Sequence, residues 1–136
     1  MRYIAIASVC ALSACASPRP SYVGTLSTEG AAQAAYDIAG FVGQQIKPDQ
    51  GDIAIRKAPG DDLLWTDLTN NLNAGGYTVS DGKARHNLRY AVSTLPDGTF
   101  LHATLDRTSL ARLYHVDPSG HLNPTGPETV ITNEAE

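Results

Sequence analysis

Apolar residues recur with a helical period between Thr28 and Ile46. Ala31, Ala34, Ala35, Ile38, Phe41, Val42 and Gln45 follow i, i+3, i+4, i+7 spacing, which places them on one stripe of a helix. Ser27 or Thr28 is placed to cap its start, and Pro48 stops it. Gly40 and Gly43 lie inside this span, and each costs about 1 kcal/mol relative to alanine in a helix. Their presence predicts a close approach, either to the rest of this domain or to a partner subunit. A second helical stripe (Leu64, Trp65, Leu68, Leu72) opens after Asp61-Asp62, whose negative charge suits a helix N-terminus, and ends at Gly75-Gly76. Adjacent helical residues diverge by about 100°, so Asp61 and Asp62 read as capping residues and not as an acid–base pair.

The rest of the chain alternates with a period of two. Asp52 to Lys57 is a short strand, followed by the turn Ala58-Pro59-Gly60. Tyr77-Thr78-Val79 is another. Leu88, Tyr90 and Val92 alternate with Arg89, Ala91 and Ser93, and Pro96-Asp97-Gly98 turns the chain into Phe100–Leu105. Asp106-Arg107-Thr108 turns again into Leu110–Val116, and Asp117-Pro118-Ser119-Gly120 closes that strand. Residues 121–131 are broken by proline, with Thr129-Val130-Ile131 as an edge strand. These elements predict an α+β domain over residues 28–132, with two helices packed on one face of a mainly antiparallel sheet of four to five strands. Asn133-Glu134-Ala135-Glu136 reads as an acidic, solvated tail.

The N-terminus has a different character. Met1-Arg2-Tyr3 carries one positive charge, and Ile4–Leu12 is apolar but too short to span a bilayer. The sequence Leu12-Ser13-Ala14-Cys15 resembles the lipobox of bacterial lipoproteins. That resemblance implies a signal peptide at 1–14, cleavage before Cys15, and a diacylglyceryl group plus an N-acyl chain such as palmitate on Cys15. About 122 residues remain after cleavage. Each buried methylene adds roughly 0.8 kcal/mol of membrane affinity, so several chains anchor far better than one. Ala16 follows the cysteine where an aspartate would signal inner-membrane retention, which implies the outer membrane, periplasmic face. Residues 15–27, rich in Pro, Ser and small side chains, read as a tether.

Composition removes several classes of function. Cys10 falls in the signal and Cys15 at the anchor, so the domain has neither a disulfide nor a free thiol. Net charge is −4, with no basic run, which argues against direct nucleic-acid binding. His86, His102, His115 and His121 show no metal-ligand spacing, and no nucleophile elbow or phosphate loop occurs, so neither a cofactor nor a metal is expected. His102 and His115 lie on neighbouring strands and, with Asp106, are the candidates for a catalytic cluster. Tyr77, Tyr90, Phe100 and Tyr114 concentrate in the strand half opposite Trp65. They read as one aromatic core; the alternative places Tyr77, Tyr90 and Tyr114 on the outer sheet face as a partner-docking surface.

Several stretches taken together resemble one family. Leu68-Thr69-Asn70-Asn71-Leu72-Asn73-Ala74-Gly75-Gly76-Tyr77-Thr78-Val79 reads as a helix followed by a Gly-Tyr-x-Val strand. Leu88–Val92, then Ser109–Tyr114, then Pro124-Thr125-Gly126-Pro127 continue the pattern, and the lipobox precedes it. The chain resembles the TrbH family of conjugal-transfer lipoproteins related to type IV secretion, over roughly residues 60–127 plus the signal. The resemblance implies a structural role in a transfer channel, with periplasmic and outer-membrane channel subunits as partners. It carries no catalytic residue, and Cys15 is the residue it transfers. The other classes that this sequence allows are a periplasmic ligand-binding lipoprotein and an envelope enzyme.

Overall fold

The structure is a computed structural model that describes residues 21–80 and 82–133. Its elements are β1 (Tyr22–Val23), α1 (Thr28–Gln45), a 3-10 turn at Pro48–Gln50, β2 (Ile53–Ile55), α2 (Leu63–Ala74), β3 (Val79–Ser80), β4 (His86–Leu95), β5 (Gly98–Leu105), β6 (Thr108–Val116), β7 (Leu122–Pro124) and β8 (Thr129–Thr132). The class is α+β with two helices, as expected. The sheet differs from expectation: it has eight strands and is mixed.

Long antiparallel strands β4, β5 and β6 form its centre. Two-residue connections join them, Pro96-Asp97 between the paired Leu95 and Gly98, and Asp106-Arg107 between the paired Leu105 and Thr108. Asp106 takes φ 54°, a left-handed conformation that a short polar side chain tolerates. The outer edge of β6 carries both β7 and β8, one beyond the other.

The opposite edge of β4 explains the mixed character. β2 pairs there with residues 86–88 and β1 with residues 91 and 92, both in parallel, and β3 adds to β2 in parallel as well. Helical crossovers make this possible, since parallel neighbours cannot be joined by a tight turn. The stretch expected to be a tether therefore enters the sheet at Tyr22. Likewise, β2 is enclosed between β3 and β4.

Both helices lie on one face. α1 buries Gly30, Ala31, Ala34, Ala35, Ile38, Phe41 and Val42, and α2 buries Leu64, Leu68 and Leu72. They meet Leu88, Tyr90 and Val92 of β4, Leu101, Ala103 and Leu105 of β5, and Leu110 and Tyr114 of β6 in one core. Ser27 Oγ caps α1 by accepting from Gly30 N at 2.9 Å, and donates to Gly120 O at 2.6 Å, which fixes the β6–β7 turn against the helix start. α2 ends in a Schellman motif: Tyr77 N–H donates to Leu72 O at 2.9 Å and Gly76 N–H to Asn73 O at 3.0 Å, with Gly76 at φ 94°. The expected glycine notch in α1 is not formed at Gly40, which faces open space. Gly43 sits beside the Tyr77 hydroxyl at ordinary contact distance.

Candidate functional site

Alternation along the central strands gives the sheet two faces. One parity (Leu88, Tyr90, Val92; Leu101, Ala103, Leu105; Leu110, Tyr114) goes to the helices. The other parity carries no helix among the described residues. Register aligns its side chains in rows: Ser93–Phe100–Leu113, then Tyr22–Ala91–His102–Ala111–Thr129, then Arg89–Thr104–Ser109–Ile131. Leu113, Ile131 and Tyr22 are exposed, Ile131 and Tyr22 by more than half, while Phe100 is half-buried. This open face is the candidate docking surface.

The tyrosines proposed from sequence for that role do not occupy it. Tyr90 is 2% exposed and Tyr114 0%, and both point toward the helices. Each hydroxyl meets a carboxylate. Tyr90 Oη donates to Asp61 Oδ2 at 2.7 Å, while Asp61 Oδ1 accepts from Leu64 N at 3.0 Å and so caps α2. Tyr114 Oη donates to Asp37 Oδ2 midway along α1; Gln33 Nε2 donates to the other oxygen of Asp37 at 3.1 Å. Arg112, on the helix-facing parity of β6, lies 3.7 Å from both Asp37 and Glu128. Burial first, and the adjoining carboxylate second, push both phenols well above their usual range, so they stay protonated donors. Tyr77 is half-buried and donates from Oη to Ile46 O at 2.7 Å, which closes the C-terminus of α1. All three tyrosines thus tie helices in place. The aromatic core is the reading the structure supports for Tyr90 and Tyr114.

The histidines are also redistributed. His102 and His115 share the open face, but His102 stands level with Ala111, four residues along β6 from His115. At about 3.3 Å per residue that separation is roughly 13 Å, too far to pair. Asp106 joins neither. Its Oδ2 lies 2.7 Å from His86 Nδ1, and its Oδ1 accepts from Asn87 N at 2.9 Å. His86 Nε2 reaches Gln50 O at 2.9 Å. Two acceptors on one ring favour the imidazolium, and the Asp106 hydrogen bond raises the His86 pKa above its ordinary value. Nearby, Asp52 accepts from Ser80 Oγ at 2.6 Å and from Arg85 N at 3.2 Å. The cluster binds the 3-10 turn, β2, β3 and the β5–β6 turn together at one end of the sheet. At the other end Asp117 accepts from the Ser119 hydroxyl and from His121 N, and these bonds hold its carboxyl at about 2.

Two larger clefts open on the surface. One of about 580 Å³ lies at the His86 end and is lined by Ala54, Arg56, Asn87, Arg89, Thr104 and Asp106. Another of about 620 Å³ lies at the hairpin end, between Leu26, Leu95, Pro96, Val116 and Leu122, with His115 at its wall. Among the described residues no group of three or more His, Cys, Asp or Glu is arranged to hold a metal ion, and no helix is long and apolar enough to cross a membrane. Cys15 lies outside the described residues.

Phase is what the sequence reading of the docking face lacked. The strands were visible, but which parity faced the helices was not. Leu88-x-Tyr90-x-Val92 is more apolar than Arg89-x-Ala91-x-Ser93, and that contrast alone assigns Tyr90 inward and Arg89 outward. Extended by register, it yields Phe100, Leu113 and Ile131 as the outward apolar residues.

No curated protein and no solved structure matches the chain. A family model described as conjugal transfer protein TrbH matches residues 16–134, beginning at the residue after Cys15 and covering the whole described domain. The chain belongs to the TrbH family of conjugal transfer proteins.

Proposed function

We propose that this protein is a lipid-anchored, non-catalytic assembly component of a conjugative transfer channel, held at the periplasmic face of the outer membrane through Cys15. The observation that carries the reading is the family match over residues 16–134, which starts next to the cysteine of the Leu12-Ser13-Ala14-Cys15 motif. An acyl anchor confines the domain to a surface and raises its effective concentration near envelope subunits.

Two features of the fold suit that role. The helix-free face offers Phe100, Leu113 and Ile131 between polar rows, a mixture typical of interfaces between separately folded proteins. β8, four exposed residues long, has no strand on its outer edge among the described residues, and a partner strand can add there.

Affinity capture of the acylated protein from membranes of its native host tests the reading. Recovery of periplasmic and outer-membrane transfer-channel subunits is expected, and Leu113→Asp with Ile131→Asp is expected to reduce it. A folded protein that recovers no such subunit refutes the assembly role. The hairpin-end cleft of about 620 Å³, with its apolar walls, is the feature that favours a ligand-binding lipoprotein instead. Cys15→Ser is expected to leave a folded, uncleaved and mislocalised chain. Unchanged membrane fractionation would remove the anchor from the proposal.

A further inference from the structure

Arg56 and Arg89 create an electrostatic problem within the sheet. Ile55 pairs with Leu88, and Arg56 N donates to Leu88 O at 2.9 Å, so the next residues, Arg56 and Arg89, come level on neighbouring parallel strands. Adjacent strands are about 4.8 Å apart, which places two guanidinium stems side by side. Neither arginine has a carboxylate within ion-pair distance among the described residues. Like charges placed directly opposite one another destabilise a sheet. Asp106, the acid lining the same cleft, is already engaged by His86 and by Asn87 N.

The surroundings suit an oxyanion. The Arg56–Arg89 pair borders a cleft of about 580 Å³ on the helix-free side, with Asn87 and Thr104 among its lining residues. Thr104 is level with Arg89 on β5. Two planar guanidinium groups beside hydroxyl and amide groups match a phosphate in charge and in the number of acceptor oxygens.

Chain connectivity indicates the source of that phosphate. β1 and β2 occupy the same edge of β4, and the gap between them falls at Arg89: Arg56 bonds to Leu88 on one side, and Tyr90 N donates to Ser21 Oγ at 3.2 Å on the other. Ser21, the first of the described residues, therefore lies beside the arginine pair. Cys15 is six residues before Ser21. Six residues span at most roughly 20 Å. An acyl anchor at Cys15 consequently holds this cleft within headgroup reach of its membrane. Tyr22, 55% exposed, shares the helix-free face one row away, and tyrosine is enriched at membrane–water interfaces.

We propose that Arg56 and Arg89 form a binding site for the phosphate of a membrane lipid headgroup, which orients the anchored domain on its bilayer. The choice of a lipid as the source rests on the Cys15 anchor. The test uses the processed, full mature chain in neutral detergent micelles, with thermal unfolding followed by Trp65 fluorescence. Doping the micelles with phosphatidylglycerol is expected to raise the midpoint by several degrees in a saturable way. Inorganic phosphate at millimolar levels is expected to compete. An anionic surface contributes about fivefold in binding per arginine, so Arg56→Gln with Arg89→Gln should raise the half-saturating lipid fraction by about thirtyfold.

That double variant, measured without lipid, should be no less stable than the parent, because it removes a repulsion. The Arg56→Lys, Arg89→Lys pair should keep a weaker response. No effect of phosphatidylglycerol, an equal effect on parent and glutamine variant, or a response to inorganic phosphate alone would overturn the proposal. The mass of the N-terminal peptide reports acylation separately. A chain without acyl groups that still answers phosphatidylglycerol supports the site and refutes only the anchor.

Discussion

Asp61 serves two elements at once, and removing it should cost more than a surface carboxylate ordinarily would. One oxygen caps α2 at Leu64 N, and the other receives the buried Tyr90 hydroxyl. Loss of an N-cap costs about 1 kcal/mol. A hydrogen bond to a charged group adds about 2 kcal/mol, and its loss leaves the Tyr90 hydroxyl without a partner in the core. Asp61→Ala is therefore expected to lower stability by about 3 kcal/mol, out of the 5–15 kcal/mol typical of a domain. Tyr90→Phe, which deletes only the second bond, should cost about 2 kcal/mol. Both single variants remove the same contact, so the double variant should cost about 3 kcal/mol, no more than Asp61→Ala alone. Urea unfolding at neutral pH, followed by the fluorescence of Trp65 on α2, measures all three. An additive double variant, near 5 kcal/mol, would show that the tyrosine and the cap act independently and would refute the shared-anchor argument.

Three further outcomes follow from other parts of the structure. Gly40→Ala should stabilise the protein by up to about 1 kcal/mol, since Gly40 lies in a helix interior and an added methyl meets nothing; a loss of stability in urea would mean that this helix face is covered. Gly98→Ala should cost about 2 kcal/mol, because the new methyl would collide with the Tyr114 carbonyl across the β5–β6 ladder; calorimetry showing an unchanged midpoint would contradict that register. For His86 the folded pKa is raised above its ordinary value of 6.5, so its contribution is fully present below that value and disappears as pH rises through the folded pKa. Unfolding free energy should decline over that range in the parent and less in His86→Gln, and parallel pH profiles would exclude the Asp106 pairing.

Both helices and the β4–β5–β6 meander could be read from sequence because their signals are local. The α1 stripe runs continuously from Ala31 to Val42, Gly75-Gly76 marks the end of α2, and the short turns between long alternating strands need no distant information. What escaped is non-local. Tyr22-Val23 is too short to show any period and becomes a strand only because β4 offers an edge for it. Leu122–Pro124 is paired through Tyr114, His115 and Val116, despite its proline, at an edge where the missing N–H is tolerated. His86–Asp106 joins a strand start to a later turn, and its geometry depends on the left-handed backbone at Asp106. Tyr90 and Tyr114 share their inward fate through two carboxylates, Asp61 at the start of α2 and Asp37 on α1, that no strand pattern could point to.

The seat of β1 on β4 also fixes an order of events. Ser21 and Tyr90 are 69 positions apart, so the first part of the sheet in sequence has no partner until nearly two-thirds of the chain has emerged. Hairpins such as β4–β5 form within about 1–10 μs, whereas closing so long a loop waits for them. The β1 segment therefore stays unpaired until β4 is in place. Under tension the sequence runs backwards: a pull applied at Ser21 acts first on a two-residue strand before it reaches the core. The domain thus gains a few residues of length there before its core bears the load.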